Sequence, residues 1–285
     1  MAVKIVTDTG CDLPASFIEQ HDIHLVPLVL RFGEREVNDS SETRAELWQR
    51  IEAHLPCETS GPPVGPYLAA FEPLVQAGHE VVCITLTGAH SVTYSSATLA
   101  ARDFAGQVTV VDSRSVSMGY GLQALTAAQM AATGASRAAV VAAVHSCQRR
   151  LLLRFFLESL DQVQRGGRLD AFMPALSRLG ATLNLRAVLT IQEEGRIGLV
   201  GPARGRRGAI KRLAQDIIAA GPAERLAVAH SRALDEAEAL ADELAQALDF
   251  PRSQVMMVEI GSVLIAHAGQ GLLGAGSIRR SHSDI

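Results

Sequence analysis

The sequence predicts an α/β protein of two domains. A mainly parallel sheet is expected in the N-terminal half and a mixed sheet in the C-terminal half, each with flanking helices. Three observations lead there. Strand, loop and helix signals alternate through the first 150 residues. The second half carries a hairpin signal, Glu193-Glu194-Gly195, between apolar runs at 187–192 and 196–200. The chain has 285 residues, 48% of them hydrophobic, which is enough for two packed cores.

Taken in order, residues 3–8 form an apolar run ending in an acid, the pattern of a buried strand. Asp12-Leu13-Pro14 reads as a helix start, because proline is tolerated in a first turn. Residues 23–32 read as one strand. Ser40 and Ser41 can cap a helix running to about His54. Residues 59–66 hold Gly61, Pro62, Pro63, Gly65 and Pro66 and read as a loop. Leu68, Phe71, Leu74 and Val75 then share one face of a helix over 67–76. Residues 81–86 are the clearest buried strand, followed by a polar loop at 87–93 and a helix at 94–104. Residues 108–112 form another strand, followed by a Ser/Gly loop and an Ala-rich helical stretch.

In the second half, 151–157, 226–230, 255–260 and 263–267 read as strands. Residues 206–220 and 234–248 read as amphipathic helices. The domains are therefore placed at 1–150 and 151–285, with the boundary near 147–160. The polar residues 279–285 read as a frayed end.

Composition narrows function. With 26 basic and 30 acidic residues, the net charge is −4, so nothing favours a nucleic-acid partner. Aromatics at 4% give little surface for base stacking. The four cysteines, Cys11, Cys57, Cys83 and Cys147, form no C-x-x-C pair; a zinc ribbon and a redox dithiol are not expected, and a reduced cytoplasm fits. No secretory signal pattern opens the chain, and the most apolar windows, 122–144 and 255–278, are too polar for a membrane span.

The loops Asp8-Thr9-Gly10, 87–93 and Asp112-Ser113-Arg114-Ser115 each leave the C-terminal end of an expected strand. Ligands of open α/β sheets sit at that edge. Hydroxyls and backbone N–H groups there suit an anionic headgroup, although Ser and Thr also cap helices. Arg168 stands in a Gly-Gly-Arg turn, and Arg204, Arg206 and Arg207 precede a helix. Guanidinium forks match phosphate geometry; a solvated basic face is the alternative.

Several blocks in order resemble one family. They are Val6-Thr7-Asp8-Thr9-Gly10-Cys11-Asp12-Leu13-Pro14, Thr59-Ser60-Gly61-Pro62, Ser91-Val92-Thr93-Tyr94-Ser95-Ser96-Ala97, and Asp112 through Gly119. Arg165-Gly166-Gly167-Arg168-Leu169, Arg204-Gly205-Arg206-Arg207 and His267-Ala268-Gly269-Gln270-Gly271 complete the set. Together they are similar to the DegV family of bacterial fatty-acid-binding proteins and span almost the whole chain. The resemblance implies a two-domain DegV-like fold that encloses a long-chain fatty acid between its domains. It implies that Thr59, Ser91 and His267 hold the carboxylate, with Ser60 and Thr93 in the same blocks. It also implies a cytoplasmic, non-enzymatic lipid carrier with no cofactor or metal. Such a carrier presents the acid to a separate fatty-acid kinase and carries the acyl phosphate for lipid synthesis. Arg168 and Arg206 are then candidate phosphate or kinase contacts. Four positions depart from the family pattern. Val92 stands where glycine is usual, Ser95 and Gly61 where glutamine is usual, and Gln270 where proline is usual.

Two hydroxyls and an imidazole can satisfy a buried carboxylate. Sixteen carbons at roughly 0.8 kcal/mol per methylene offer about 12 kcal/mol before binding costs. The chief alternative is a serine-dependent lipid or ester hydrolase using Ser91, His267 and Asp8 or Asp112. It lacks the G-x-S-x-G elbow, the local string being Gly88-Ala89-His90-Ser91-Val92. A nucleotide-binding reading lacks both a P-loop and a dinucleotide fingerprint.

Overall fold

Alternation decides which way each strand of the N-terminal half faces. In Val3–Asp8 (β1), Ile5 packs with Ile23, Val82, Ile84 and Tyr120, whereas Val6 packs with Val26, Tyr67, Phe71 and Cys83 on the opposite face. A strand buried on both sides needs helices on both sides. The computed structural model describes residues 1–158 and 185–280 and divides them into two compact units.

The first unit comprises residues 1–149 together with the short returns Glu193–Arg196 and Gly261–Val263. Its strands are β1, β2 (Ile23–Val26), β3 (Val29–Phe32), β4 (Arg35–Asn38), β5 (Glu58–Ser60), β6 (Glu80–Thr85) and β7 (Val108–Asp112). Four of them form a fully parallel sheet in the order β2-β1-β6-β7. Helices Val64–Gln76 and Thr93–Ala101 cover one face, and Met118–Ala132 and Arg137–Arg150 supply the other. The expected strand over 23–32 is in fact two. Pro27 lacks an N–H for continuing a ladder, and the chain leaves the parallel sheet there. β3 then centres a small antiparallel sheet, β4-β3-β5, that the sequence reading did not anticipate.

The loop expected over 59–66 is shorter than predicted. Thr59 and Ser60 pair with Leu30 and Val29, and a helix begins at Val64 with Pro66 in its first turn. A proline there removes an N–H that no carbonyl of the helix would have accepted. Ser40 caps Ser41–Glu52 through a reciprocal pair with Thr43, as its position suggests.

The second unit's described residues are 150–158, 185–192, 197–260 and 264–280. Its strands are β8 (Leu151–Phe156), β9 (Leu185–Ile191), β10 (Ile197–Arg204), β11 (Ala223–His230), β12 (Met256–Glu259) and β13 (Leu273–Arg279). They form one mixed sheet in the order β10-β9-β8-β13-β11-β12, parallel only between β11 and β12. The predicted hairpin is present, with Gly195 at its tip in the left-handed region (φ 81°). Helices Gly205–Ala219 and Leu234–Ala247 bury Leu213, Ile217, Leu240 and Leu244 in a cluster with Phe156, Val228 and Leu273.

Two expectations fail in the C-terminal segment. Residues 263–267, read as a strand, belong to a helix, Ser262–Ala268. A short apolar run does not distinguish a buried strand from a buried helix. The strand lies instead at β13, whose Gly274 and Gly276 lower its β-propensity and hide it. Arg279, placed in the frayed end, is the last residue of that strand.

Among the described residues no helix is long and apolar enough to cross a membrane. The four cysteines form no disulfide, and Cys11, Cys83 and Cys147 are buried.

Candidate functional site

The parallel sheet ends where β1, β6 and β7 deliver Asp8, Thr85 and Asp112 to one edge. The chain runs outward from β1 to β2 on one side and to β6 on the other, so β1 and β6 flank the point where strand order reverses. Asp8 closes this gap. Its carboxylate accepts hydrogen bonds from Leu86 N (3.0 Å), from Gly10 N (3.2 Å) and from the Tyr120 hydroxyl. Burial pushes its pKa up to about 6, against the lowering effect of those donors. Asp112 serves the neighbouring loop in the same way, accepting from Arg114 N (2.9 Å) and Gly88 N (3.2 Å).

Asp8 and Asp112 thus hold backbone amides in loops, and Ser91 is bonded to Thr93. The distance between Ser91 Oγ and Thr93 Oγ1 is 2.5 Å, and Thr93 N donates to Ser91 Oγ at 3.2 Å. These are the bonds of a turn entering a helix, and the hydrolase reading finds no support in them. Thr93 is buried and Ser91 half-buried.

Thr59 and Ser60, both half-buried, lie on the short β5 strand. The structure brings Gly61, the residue after them, against Val92 of the Ser91–Thr93 turn. A Cβ built on Gly61 would overlap Val92 Cγ2 and lie 3.9 Å from Thr93 N. Two of the four departures from the family pattern, Gly61 and Val92, therefore stand against each other. Thr85 Oγ1 and Ser115 Oγ, at or near the same sheet edge, are buried without a partner among the described residues.

His267 belongs to the second unit. It sits in the last turn of Ser262–Ala268, partly buried, rather than at a strand end. The glycine turn after it is needed for its backbone, since Gly269 and Gly271 have φ of 69° and 83°. Ser231, which sequence reasoning did not single out, anchors that turn. Its hydroxyl donates to Gly269 O (2.7 Å) and accepts from Leu272 N (3.0 Å), while Gly271 N donates to Ser231 O (2.9 Å). The signal was available, because Ser231 follows β11 as the other loop hydroxyls follow their strands.

Arg206 is held inside the same unit. Its guanidinium donates to both oxygens of Glu236, to Glu158 Oε2 (2.7 Å) and to Gly271 O (2.7 Å), and stands 5.1 Å from the Phe156 ring centroid. These carboxylates raise its pKa further. Arg168 lies outside the described residues. Gln270 and Ser95 are exposed. Among the described residues, no group of three or more His, Cys, Asp or Glu side chains is placed to hold a metal ion.

A family model described as "uncharacterised protein, DegV family" matches residues 2–280. The chain belongs to the DegV family. A DegV domain-containing protein of Streptomyces coelicolor is 33% identical over 277 residues, covering 95% of this chain and 96% of that protein. Among solved structures, a DegV family protein from Thermus thermophilus, described by its fatty-acid binding, superposes with a TM-score of 0.88. It is 30% identical and covers 98% of this chain and 100% of that one. A stearic-acid-binding protein from Eubacterium ventriosum superposes at 0.86 with 26% identity, covering 97% and 98% of the two chains. DegV architecture accounts for the parallel sheet, the mixed sheet and their helices over the full described length.

Proposed function

We propose that this chain binds a long-chain fatty acid. The observation that carries the reading is its whole-length similarity to DegV proteins described as fatty-acid-binding, one of them with stearic acid. The local chemistry supports it. Gly61, which follows Thr59 and Ser60, meets Val92 between Ser91 and Thr93, so two hydroxyl-bearing segments of the first unit approach each other, with no formal charge on any of the four residues. Such a set suits a carboxylate, which needs donors and is repelled by acids. His267 is the remaining proposed headgroup residue, and its own turn is fixed by Ser231 and Arg206.

In this reading the chain is a cytoplasmic carrier without catalytic residues or a cofactor of its own. A separate fatty-acid kinase phosphorylates the bound acid, and the chain carries the acyl phosphate toward lipid synthesis. Arg168 is the proposed phosphate or kinase contact. Arg206 contributes at one remove, through the carbonyl of Gly271.

Mass spectrometry of an organic extract from the purified protein tests the binding reading. A stoichiometric fatty acid supports it. An empty extract followed by failure to bind any of several added fatty acids overturns it. The kinase reading has its own test. Arg168→Ala should retain the lipid and lose phosphorylation by a cognate kinase; undiminished phosphorylation removes that role.

A further inference from the structure

Val92 is a poor choice for its position. It stands at the N-cap of Thr93–Ala101, where valine offers no acceptor, and it is 58% exposed. Ser91 supplies the capping acceptor instead. What valine does make is a contact with Gly61. That glycine is not in the left-handed region, so its backbone does not require glycine. Its lack of a side chain is required by Val92, because a Cβ there would overlap Val92 Cγ2 and lie 3.5 Å from Val92 Cβ.

The position of this contact gives it a consequence. Gly61 directly follows Thr59 and Ser60. Val92 lies directly between Ser91 and Thr93, whose hydroxyls are bonded to each other. One methyl group therefore lies at the point where the two hydroxyl-bearing segments meet. Valine is stiff at χ1, so the methyl acts as a fixed spacer. A side chain at position 61 must displace the Val92 methyl, on the residue that joins Ser91 to Thr93.

We propose that Val92 and Gly61 form a steric pair that sets the spacing of the Thr59–Ser60 and Ser91–Thr93 hydroxyls and so determines the preference for a carboxylate head over an uncharged one. The inference rests on the fatty-acid reading. It makes Val92 a specificity-determining residue although its side chain offers no hydrogen bond. The apolar tail of a ligand should be indifferent to the pair; the head should not.

The test is a double-mutant cycle on the full chain with Gly61→Ala, Val92→Gly and the double variant. The probes are stearate and 1-octadecanol, which share a tail and differ in the head. Gly61→Ala should weaken stearate binding about tenfold and octadecanol binding by less than about threefold, because misplaced donors cost the charged head most. Adding Val92→Gly should bring stearate back to within about threefold of the parent, a coupling that contacting residues show and independent ones do not. Val92→Ala, which shortens the spacer and leaves Gly61 intact, should weaken stearate alone, and it serves if Gly61→Ala does not fold. Equal losses for both probes, or additive effects in the cycle, overturn the pair while leaving fatty-acid binding standing. A parent chain that binds neither probe overturns the fatty-acid reading and the pair's role with it.

Discussion

The Asp12 carboxylate accepts a hydrogen bond from the backbone N–H of Gly261 at 2.8 Å, across 249 residues of sequence. Its other oxygen accepts from Ser117 Oγ at 2.5 Å. Asp12 is buried with its backbone in the left-handed region (φ 53°), and Gly261 immediately precedes the helix that carries His267. A single carboxylate thus ties the turn after β1, the turn after β7 and the start of that helix.

This arrangement predicts a pH-dependent stability. Burial raises the Asp12 pKa from 3.8 to about 7, and that of Asp8 to about 6. An acid with a raised native pKa binds more protons folded than unfolded between the two values. Stability should therefore fall as pH rises from about 4 to about 7 and level off above that, by an amount on the order of a few kcal/mol. Asp22 and Glu158 have lowered values and act oppositely, losing stability as pH falls below their unfolded range. Asp12→Asn should flatten the decline between pH 6 and 7 and leave the part that ends near pH 6, which belongs to Asp8. Thermal melts of both proteins from pH 4 to 8 check this. An unchanged profile in the variant removes Asp12 as the titrating group.

The headgroup set predicts graded losses of binding. Ser91→Ala or His267→Ala should each weaken fatty-acid affinity by about tenfold to a hundredfold, the range for a hydrogen bond to a charged group. Because Ser91 also accepts from Thr93 N, its variant should lose some stability as well. Titration calorimetry with stearate, alongside melting curves, separates the two effects. Parent-like affinity in both variants places the headgroup elsewhere.

How far the sequence reaches can be read from particular residues. Buried strands such as Val81–Ile84 were legible because both faces are apolar. Ile23–Phe32 misled because Pro27 divides two hydrophobic runs that belong to different sheets. Ser262–Ala268 misled because seven apolar-rich residues satisfy either period. At the site, Thr59 and Ser91 were identified through a resemblance, since hydroxyls in loops carry little signal alone. Ser231 was missed because its importance lies in four hydrogen bonds to a turn some forty residues away. The Gly61–Val92 contact could not be read from sequence at all, because it depends on two loops meeting in space.

Ser231 gives a prediction of its own. Ser231→Ala removes the donor to Gly269 O and the acceptor for Leu272 N, both buried. Leaving buried backbone groups unpaired costs about 1–3 kcal/mol. The variant should melt several degrees lower and bind fatty acid more weakly through a displaced His267. The order matters for its interpretation. If Ser231 acts by positioning His267, its effect on affinity should largely vanish in a His267→Ala background. A full loss in both backgrounds contradicts a positioning role.

The tip of the β9–β10 hairpin offers a test of the first unit's boundary. Glu193–Arg196 belongs to that unit although its strands belong to the second. Thr87 Oγ1 donates to Gly195 O at 3.1 Å and accepts from Ala89 N at 3.3 Å, so the hairpin tip braces the loop that leads to Ser91. Gly195 is required twice over. Its φ of 81° disfavours any side chain, and a Cβ there would overlap Thr87 Oγ1 and come within 2.9 Å of Arg114 Cα. Gly195→Ala must therefore strain its own backbone and push the tip off Thr87, at a cost of about 2 kcal/mol or more. Thr87→Ala should cost less, about 1 kcal/mol, because it removes one hydrogen bond without a clash. Hydrogen exchange at Ala89 and neighbouring amides should rise in both variants and more in Gly195→Ala. Protection equal to the parent in Gly195→Ala shows that the tip does not brace this loop.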